Sequence, residues 1–519
     1  MANEAYFKLL PLWKIVSDCY EGVEAIKRPE RAFVYLPPQP AERREIESGK
    51  EFSNSRYAFR KQVASYENFF KTTIDDIVGI MQKNAPKMRF GIKSDSESPK
   101  EILDLRFKGT RYGDGLGGLK SRLNSAQALF GRYGLLLDVV TDEQGLNPEF
   151  CITEYQPFSI LDGDYFESNY DNRKKLRWIL LDETSRKFMP ETKSWVILPK
   201  RRVLGVDLEG RYYNAVWEGT EVDGIWAKFD LDNPQESADY TLVYPSYLGQ
   251  YLDFIPFTVC NIDRLGIEAW EPPPYLDVAQ IAIGNYIVDS WYKMGLYQFA
   301  TPTLVVSNAK SNDNNIRLGG VIWLNSPANS TQAATAHIME TSGSALSELR
   351  NAKQELKDSL KYSSIRDLLD GAGANSSGDA LRLRTASGTA AIAVMDKTSG
   401  RAIEEQIRFA AMRAGATKSE AFDRITFESD TTYLGQDFQL QNVVSFIQTN
   451  ANTRVLSKQN AYSILEKTFS GIITNYEDNE AQLISEEADG LGNTNPLMSA
   501  FNGLLSAQER VADDREGKY

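Results

Sequence analysis

The middle third of the sequence, residues 270–415, contains a fixed order of elements that few folds can accommodate. Apolar and small residues recur at helical spacing from Leu276 to Phe299, and again from Ser344 to Tyr362. At the helical rise per residue, each of these predicted helices is about 30 Å long. A short β unit lies between them, and a glycine-rich loop and a long helical stretch follow them. This order forms a poor catalytic cleft, but a good wall segment for a ring around a channel.

The β unit between the two helices is predicted to be a hairpin. Its arms are Thr303–Val306 and Val321–Leu324, and a polar run over Asn312–Asn315 forms its tip. Lys310 and Arg317 flank this tip. They fit either an ordinary solvated turn or a contact to a partner ring or to nucleic acid.

The flanking regions indicate an α+β protein. Helical periodicity predicts helices over 10–28, 57–82 and 116–130. From 150 to 260, short apolar runs alternate with turn residues, which is typical of an antiparallel meander. The C-terminal region is predicted to be helical with an acidic tail, since the last 45 residues hold ten acidic and three basic residues.

The long helical stretch over 379–414 contains Gly388 and Gly400, which predict interruptions or kinks. The loop before it contains Gly371 and Gly373, and this composition predicts low stiffness.

The chain contains one histidine, His337, which is predicted to lie in a loop. A catalytic triad could be built only on that residue, and a zinc site with several histidines is impossible. The three cysteines are far apart in the chain, and their odd number argues against a disulfide framework. The sequence therefore predicts no catalytic residue, no metal site and no cofactor.

Two further patterns were candidates for enzyme chemistry. Gly113–Ser121 is rich in glycine, but a leucine separates its last glycine from the lysine, which favours a turn before a helix over a phosphate loop. Asp75 and Asp76 are adjacent and so point to different faces of a helix. A metal-dependent nuclease would need spaced acids that converge in the fold, and it remains an alternative.

The formal net charge is −13. Proteins that grip DNA without sequence preference are usually basic, because neutralisation of phosphates drives their affinity. The charge therefore excludes a packaging, histone-like role, but not a protein that lets DNA slide past. No run approaches the roughly 20 apolar residues that a membrane helix needs, so no membrane partner is predicted.

Lys353, Lys357 and Lys361 recur every four residues on one face of the second predicted helix. Pairing within that face is poor, because Leu349 precedes the first lysine by four residues and the lysines repel each other weakly. Only Asp358 offers a local partner. The face is either ordinary solvated surface or, in a ring, a basic stripe that weakly follows phosphates.

Short motifs spread over residues 10–490 occur in a specific order. They are Trp13, Asp18 and Gly22; Tyr35–Pro37; Tyr66–Phe69 with Thr72, Asp75 and Val78–Gly79; Phe130–Asp138; Ile255–Phe257; Pro273–Ala279; Thr301–Leu304; Met339–Gly343; and Ala380–Arg384. In order and spacing they resemble the portal proteins of tailed phages, and more narrowly a portal-like phage family long catalogued only as a domain of unknown function. The sequence departs from the family pattern at Thr385–Thr389, where the long helix consists of small residues, one of them glycine.

The resemblance implies a ring, usually a dodecamer, at one capsid vertex. Its parts are called wing, stem, clip, tunnel loop and crown. The implied boundaries are a wing over 1–270 with its β-rich part at 150–260, a stem helix over 271–299, a clip over 300–335, a second stem helix over 336–362, a tunnel loop over 363–378, a long wing helix over 379–430 and a C-terminal wing or crown region over 431–519.

The resemblance also implies a function without catalysis, as the channel for double-stranded DNA during packaging and ejection. The protein would belong to the virion, after assembly in the host cytoplasm, with terminase, a head–tail adaptor, the major capsid protein and a scaffold as partners. The DNA-channel candidates are Lys353, Lys357, Lys361, Arg366 and Asn375, and the candidates for partner docking through the clip are Lys310, Asn314, Arg317 and Trp323. Another head–tail connector or capsid component remains an alternative, as does the nucleic-acid enzyme.

Overall fold

The structure of the protein is a computed structural model. It describes residues 3–48, 55–90, 105, 107–140, 149–167, 174–191, 193–219, 222–247, 250–300, 303–307, 335–339, 344–363, 378–414, 416 and 425–429. The chain divides into two units, Met1–Tyr433 and Leu434–Tyr519, and the described residues all belong to the first. The predicted C-terminal region, and most of the predicted clip and tunnel loop, lie outside the described residues.

Helices dominate the first ninety residues. They are α1 (Glu4–Glu21), α2 (Val23–Ile26), α3 (Pro29–Tyr35), α4 (Pro40–Glu47), α5 (Arg56–Val63) and α6 (Phe69–Met81), followed by strand β1 (Lys87–Phe90). Gly22 ends α1 with a φ of +96°, a conformation that glycine adopts at little cost. The predicted helix over 10–28 is therefore two helices. Its apolar stripe is buried, with Trp13 and Val16 in the core.

The predicted single helix over 57–82 is wrong in its middle. α5 ends at Val63, and α6 begins only at Phe69. The side chain of Asn68 caps α6, because its Oδ1 accepts the backbone N–H of Lys71 at 3.0 Å. The residues between the two helices, 64–68, are called the linker below.

Helix α7 (Leu116–Phe130) follows a turn at Gly113–Gly115, which confirms a turn before a helix in that region. It ends at Gly131, whose φ of +74° is typical of a left-handed C-cap. The chain continues as strand β2 (Arg132–Val140). This strand pairs antiparallel with β3 (Glu149–Tyr155) and with β13 (Phe257–Asn261).

Residues 150–260 consist mainly of antiparallel strands, as the turn spacing predicts. β4 (Ile160–Glu167), β5 (Lys174–Asp182), β8 (Lys200–Val206), β9 (Tyr212–Glu218) and β10 (Thr241–Val243) form one sheet in the order β10-β9-β8-β5-β4. β6 (Ser185–Met189) and β7 (Ser194–Leu198) pair only with each other among the described strands. The short helix α8 (Val222–Trp226) and the strand pair β11 (Ser246–Tyr247) and β12 (Gln250–Tyr251) complete this region.

The central unit contains two long helices and a strand pair. They are α9 (Leu276–Ala300), β14 (Thr303–Ser307), β15 (Thr335–Met339) and α10 (Ser344–Ser363). Gly284 lies nearest Leu356 and Gly295 nearest Leu346, so α9 and α10 run antiparallel. The predicted helix, strand, helix order is confirmed, and α9 matches its predicted range.

Among the described strands, β14 pairs with β15, a partner that the sequence did not predict. The predicted second arm of the hairpin, Val321–Leu324, lies outside the described residues. The predicted start of the second stem helix at 336 is wrong, because 335–339 is strand. His337 consequently lies in a strand opposite Val305 and not in a loop. Local patterns do not specify which strand a given strand pairs with, because the pairing is non-local.

Helix α11 (Gly378–Arg413) is continuous, and strand β16 (Ile425–Glu428) pairs with β1. The predicted interruptions at Gly388 and Gly400 are therefore wrong. Gly400 serves close packing instead, since a Cβ there would lie 2.8 Å from the Ser429 hydroxyl and 3.3 Å from the carbonyl oxygen of Phe427. A glycine inside a helix can thus mark a close approach of another strand.

A buried polar cluster fixes α11 to α7. Lys120 Nζ lies 2.9 Å from Asp396 Oδ1, and both side chains are almost fully buried. Asn124 donates to Asp396 at 3.3 Å and accepts from the Ser399 hydroxyl at 2.6 Å. The buried carboxylate of Asp396 therefore has both an ionic and a hydrogen-bonding partner on α7.

The mixture of helices and antiparallel sheets confirms the predicted α+β class. Within the described ranges, no helix is long and apolar enough to cross a membrane.

The α9–α10 contact makes a testable prediction about its two glycines. A Cβ at Gly284 would meet nothing closer than 3.9 Å, whereas one at Gly295 would lie 2.8 Å from Leu346 Cδ2. Gly284→Ala should raise the free energy of unfolding by up to about 1 kcal/mol, through helix propensity. Gly295→Ala should lose that gain, because Leu346 must move. Urea unfolding of the two variants and the parent chain measures this difference, and equal stabilities would contradict the packing.

Candidate functional site: an ionic junction on the central helix pair

Charged side chains gather where α4, α5 and the linker meet α9 and α10. We call this set the ionic junction. It contains Glu42, Arg60, Glu67, Asp289, Lys293, Lys353 and Lys357. The carboxylates come from α4, the linker and α9, and the cations come from α5, α9 and α10.

The central group of the ionic junction is the carboxylate of Asp289, which is 1% exposed. Oδ1 accepts from Lys353 Nζ at 2.5 Å, and Lys293 Nζ lies 3.1 Å from Oδ2. Oδ2 also accepts the backbone N–H of Ser65 at 2.8 Å. One carboxylate on α9 therefore binds α10 and a backbone group that the break after α5 leaves without a helical partner.

Glu67 of the linker extends the junction along α10. Its Oε1 lies 3.0 Å from Lys353 Nζ, and its Oε2 lies 2.9 Å from Lys357 Nζ. Lys353 thus bridges Asp289 and Glu67, so that α10 is bound at two successive turns. The linker residue between the two contacts, Tyr66, donates its hydroxyl to the carbonyl of Cys19 at 3.2 Å.

Arg60 forms the second half of the junction and is 1% exposed. Its guanidinium binds both oxygens of Glu42 at 2.8 Å. The remaining donors reach the carbonyl of Pro37 at 2.8 Å and the hydroxyl of Ser290 at 3.2 Å. A planar guanidinium suits this role because its donors point in fixed directions. Arg60 therefore joins α4 and α5 to α9 at the residue next to Asp289.

The protonation states follow from these contacts. Burial by itself raises the pKa of Asp289, but hydrogen bonds from Lys353, Ser65 and Lys293 outweigh burial and lower it below its ordinary value. The pKa of Glu67 is lowered in the same way, by Lys357 and Lys353 against burial. Burial lowers the pKa of Lys353, but Asp289 and Glu67 raise it above its ordinary value. Asp289, Glu67 and Lys353 are therefore ionised at neutral pH.

This arrangement can hold helices together but offers no reactive group. Each carboxylate already accepts from a cation or a backbone amide, so none is left to act as a base. Among the described residues, no cluster of three or more His, Cys, Asp or Glu side chains could hold a metal ion.

The junction accounts for two of the predicted DNA-channel residues. Lys353 and Lys357 form ion pairs within the chain, so the weak pairing expected along α10 is relieved by partners from other elements. A contact of either amine with DNA would compete with these ion pairs, and it stays a prediction. Lys361 belongs to α10, but its side chain lies outside the described part of the chain. Arg366, Asn375, Lys310, Asn314, Arg317 and Trp323 also lie outside it.

Sequence reasoning missed Asp289, Glu67, Arg60 and Glu42. One signal was present: from Val278 to Ala300, Asp289 and Lys293 are the charged residues of an otherwise uncharged run. A charge in such a run needs a partner when the helix is buried. Lys293 follows Asp289 by one helical turn, but Lys353 and Ser65 could not be found from spacing, because they lie 64 and 224 residues away in the chain.

Removal of the central carboxylate should weaken the fold substantially. Asp289→Asn leaves Lys293 and Lys353 with one anionic partner fewer, and loss of one member of a buried ion pair costs about 3 kcal/mol. Asp277→Asn is the matched control, because Asp277 is an exposed acid of the same helix. Its cost should stay below about 1 kcal/mol, the range of a charge at a helix end. Urea unfolding at neutral pH compares them, and equal costs would contradict the role of Asp289.

The junction also predicts a pH dependence with a defined sign. The pKa values of Asp289 and Glu67 are lowered from 3.8 and 4.5, so the stability they give is present above those values and is lost as the pH falls further. The pKa of Lys353 is raised from 10.5, so its contribution is present below that value and is lost as the pH rises through the higher value of the folded chain.

We therefore expect a stability plateau between about pH 5 and pH 10, with losses on both sides. The loss between pH 7 and pH 3 should be smaller in Asp289→Asn than in the parent chain, because the variant has no carboxylate to protonate there. Unfolding curves at the two pH values test this, and identical losses would contradict it.

Comparison with known proteins gives matches among solved structures. No protein-family model and no curated protein matches this chain. One similar solved chain belongs to the neck of an empty gene transfer agent particle computed with C6 symmetry. It is 12% identical, covers 82% of this chain and 98% of its own length, and has a TM-score of 0.38. A chain from the virion of a native gene transfer agent particle is 13% identical, with coverages of 84% and 93% and a TM-score of 0.36. Likeness at this level does not assign a function.

Proposed function

We propose that this protein is a phage portal protein, a homo-oligomeric ring that forms the channel for double-stranded DNA at one capsid vertex. The observation that carries the proposal is the contrast along α9. Its first half is buried in the core and its middle is held by the ionic junction, whereas large apolar side chains from Trp291 onward are partly exposed. The order of motifs that resembles portal proteins supports the same assignment.

The contrast can be followed along α9. Val278, Ala282 and Tyr286 in its first half are buried in the main core of the described chain. Further along, Trp291 is 41%, Leu296 40% and Tyr297 54% exposed. Burial of a large apolar side chain contributes about 1.5–3 kcal/mol relative to exposure. Association with a second protein surface that buries these three side chains would therefore be stabilised by several kcal/mol.

A second copy of the chain is the partner that suits this surface. An antiparallel helix pair that is held at its middle can pack its exposed flank against the next pair. When such head-to-tail contacts repeat with a closing rotation, they generate a ring. The negative charge of each copy would repel DNA from most of the wall, so that the duplex would pass without being held.

The remaining parts of the assignment follow the resemblance. The wing, stem, clip and tunnel-loop boundaries, the twelvefold symmetry and the docking of terminase and a head–tail adaptor belong to the proposal. So do the DNA contacts of Lys361, Arg366 and Asn375 and the partner contacts of Lys310, Asn314, Arg317 and Trp323. The ionic junction gives Lys353 and Lys357 a structural role, to keep the stem fixed to the wing.

Assembly of the purified protein tests the proposal. Light scattering and negative-stain images should reveal closed rings, of about 700 kDa if twelve chains of 58.4 kDa assemble. The double variant Trp291→Ser/Tyr297→Ser should raise the concentration needed for half-assembly at least tenfold, a change worth about 1.4 kcal/mol. Phe7→Ser, on the exposed side of α1, is the control and should assemble like the parent chain.

Two results would contradict the proposal. One is a monomer at high protein concentration, with no rings in images of the purified protein. The other is metal-dependent cleavage of DNA by the pure protein, which would favour the alternative of a nucleic-acid enzyme.

A further inference from the structure

The β6–β7 hairpin exposes apolar side chains on both of its faces. Because side chains alternate along a strand, Phe188, Trp195 and Ile197 share one face, and they are 45%, 65% and 62% exposed. Met189 and Val196 lie on the opposite face and are 39% and 43% exposed. Phe188 and Trp195 are paired across the strands, with their rings 5.4 Å apart.

The hairpin continues the β5–β8 pair beyond its sheet, since the Glu183 N–H donates to the carbonyl of Lys200 at 2.9 Å. A two-stranded β unit gains little stability by itself, so we expect another surface to cover it. Each strand also retains one edge without a described partner strand, which invites addition of another strand. The hairpin is basic as well as apolar, since it carries Arg186, Lys187 and Lys193 against one acid, Glu191. The partner should therefore be apolar, acidic and able to present a strand edge.

The chain itself contains a surface of that kind. Residues 230–243 carry Asp230, Asp232, Glu236 and Asp239 and no basic residue. This segment ends in β10, the outermost strand of its sheet among the described strands, and Thr241 and Val243 on β10 are exposed. Asp232 pairs with Arg177 at 2.6 Å, so three of the four acids lack an ion pair within the described contacts.

The hairpin does not reach β10 of its own chain. In the sheet order, β9 and β8 separate β10 from β5, the strand after which the hairpin leaves. Of the described strands, β10 pairs with β9 alone. The two complementary surfaces therefore lie at different places on one copy, which is the arrangement that a head-to-tail contact needs.

We propose that the β6–β7 hairpin of one copy docks against the β10 edge and the acidic segment 230–243 of the next copy. The apolar side chains supply the buried contact, and the opposite charges fix its orientation. The inference rests on the proposed ring, because a repeated contact between two different surfaces is what closes one. It adds a second contact, distinct from the flank of the α9–α10 pair.

Cysteine cross-linking in the full chain tests the contact directly. Trp195→Cys and Val243→Cys are combined in a Cys151→Ser background, since Cys19 and Cys260 are buried. Mild oxidation should give a ladder of covalent dimers, trimers and higher species. Either single cysteine alone should give dimers at most. Absence of a ladder, in a sample whose rings are visible in negative stain, would overturn the inference and leave the ring itself standing.

A charge swap provides the second test without removal of the aromatic contact. Arg186→Glu/Lys187→Glu should raise the concentration for half-assembly at least tenfold. Addition of Asp230→Lys/Glu236→Lys in the same chain should restore assembly, because the opposite signs are re-established. Val34→Ser, an exposed apolar position on α3, is the control for surface changes.

The outcomes separate the two proposals. Loss and rescue of assembly support the hairpin contact. Unchanged assembly of the hairpin variant overturns the hairpin contact. If that variant also loses binding to a DNA duplex, the hairpin is a nucleic-acid contact instead. Absence of rings even for the parent chain would count against the proposed function itself.

Discussion

The buried carboxylate of Asp289 is the constraint on which the arrangement of the central helices depends. A charge on a buried face of α9 must be neutralised where it lies, because its transfer from water is costly. Lys353 and Lys293 supply the opposite charge, and Ser65 supplies a backbone hydrogen bond. The last contact becomes available only because the chain leaves the helical conformation after α5. One carboxylate therefore fixes the position of α10 and stabilises the break between α5 and α6.

The environment of α9 changes along the helix. Ala282 and Tyr286 pack in the core, and the ionic junction holds the middle of the helix at Asp289 and Lys293. Trp291 and Tyr297, further along, are partly exposed. Such an arrangement suits a helix pair that is held by the core of one copy and packs against a neighbouring copy. The function we propose is geometric for this reason, since the described charged groups of the junction are used to hold helices and not to react.

Features that depend on residues close together in the chain could be predicted from the sequence, whereas features that depend on distant residues could not. The periodicity of α9 and α10 predicts both helices, because burial of one stripe is a local pattern. The break at the linker was missed, since the apolar residues continue at helical spacing across it. The partner of β14 was also missed, as strand pairing depends on distant residues. Lys353 and Lys357 were recognised as poorly paired along α10, but their carboxylates come from Glu67 and Asp289, far away in the chain.

The sequence by itself determined the α+β class, the two long central helices and the scarcity of groups for catalysis, including a single histidine. These features follow from composition and from spacing over a few residues. Only the tertiary structure decided that Asp289 and Arg60 join the helix pair to α4, α5 and the linker. It also decided that Gly400 allows close approach of a strand, and that the β6–β7 hairpin has exposed side chains on both faces. The physical reason is that burial and charge pairing between distant segments depend on how the elements pack, which spacing along one chain does not encode.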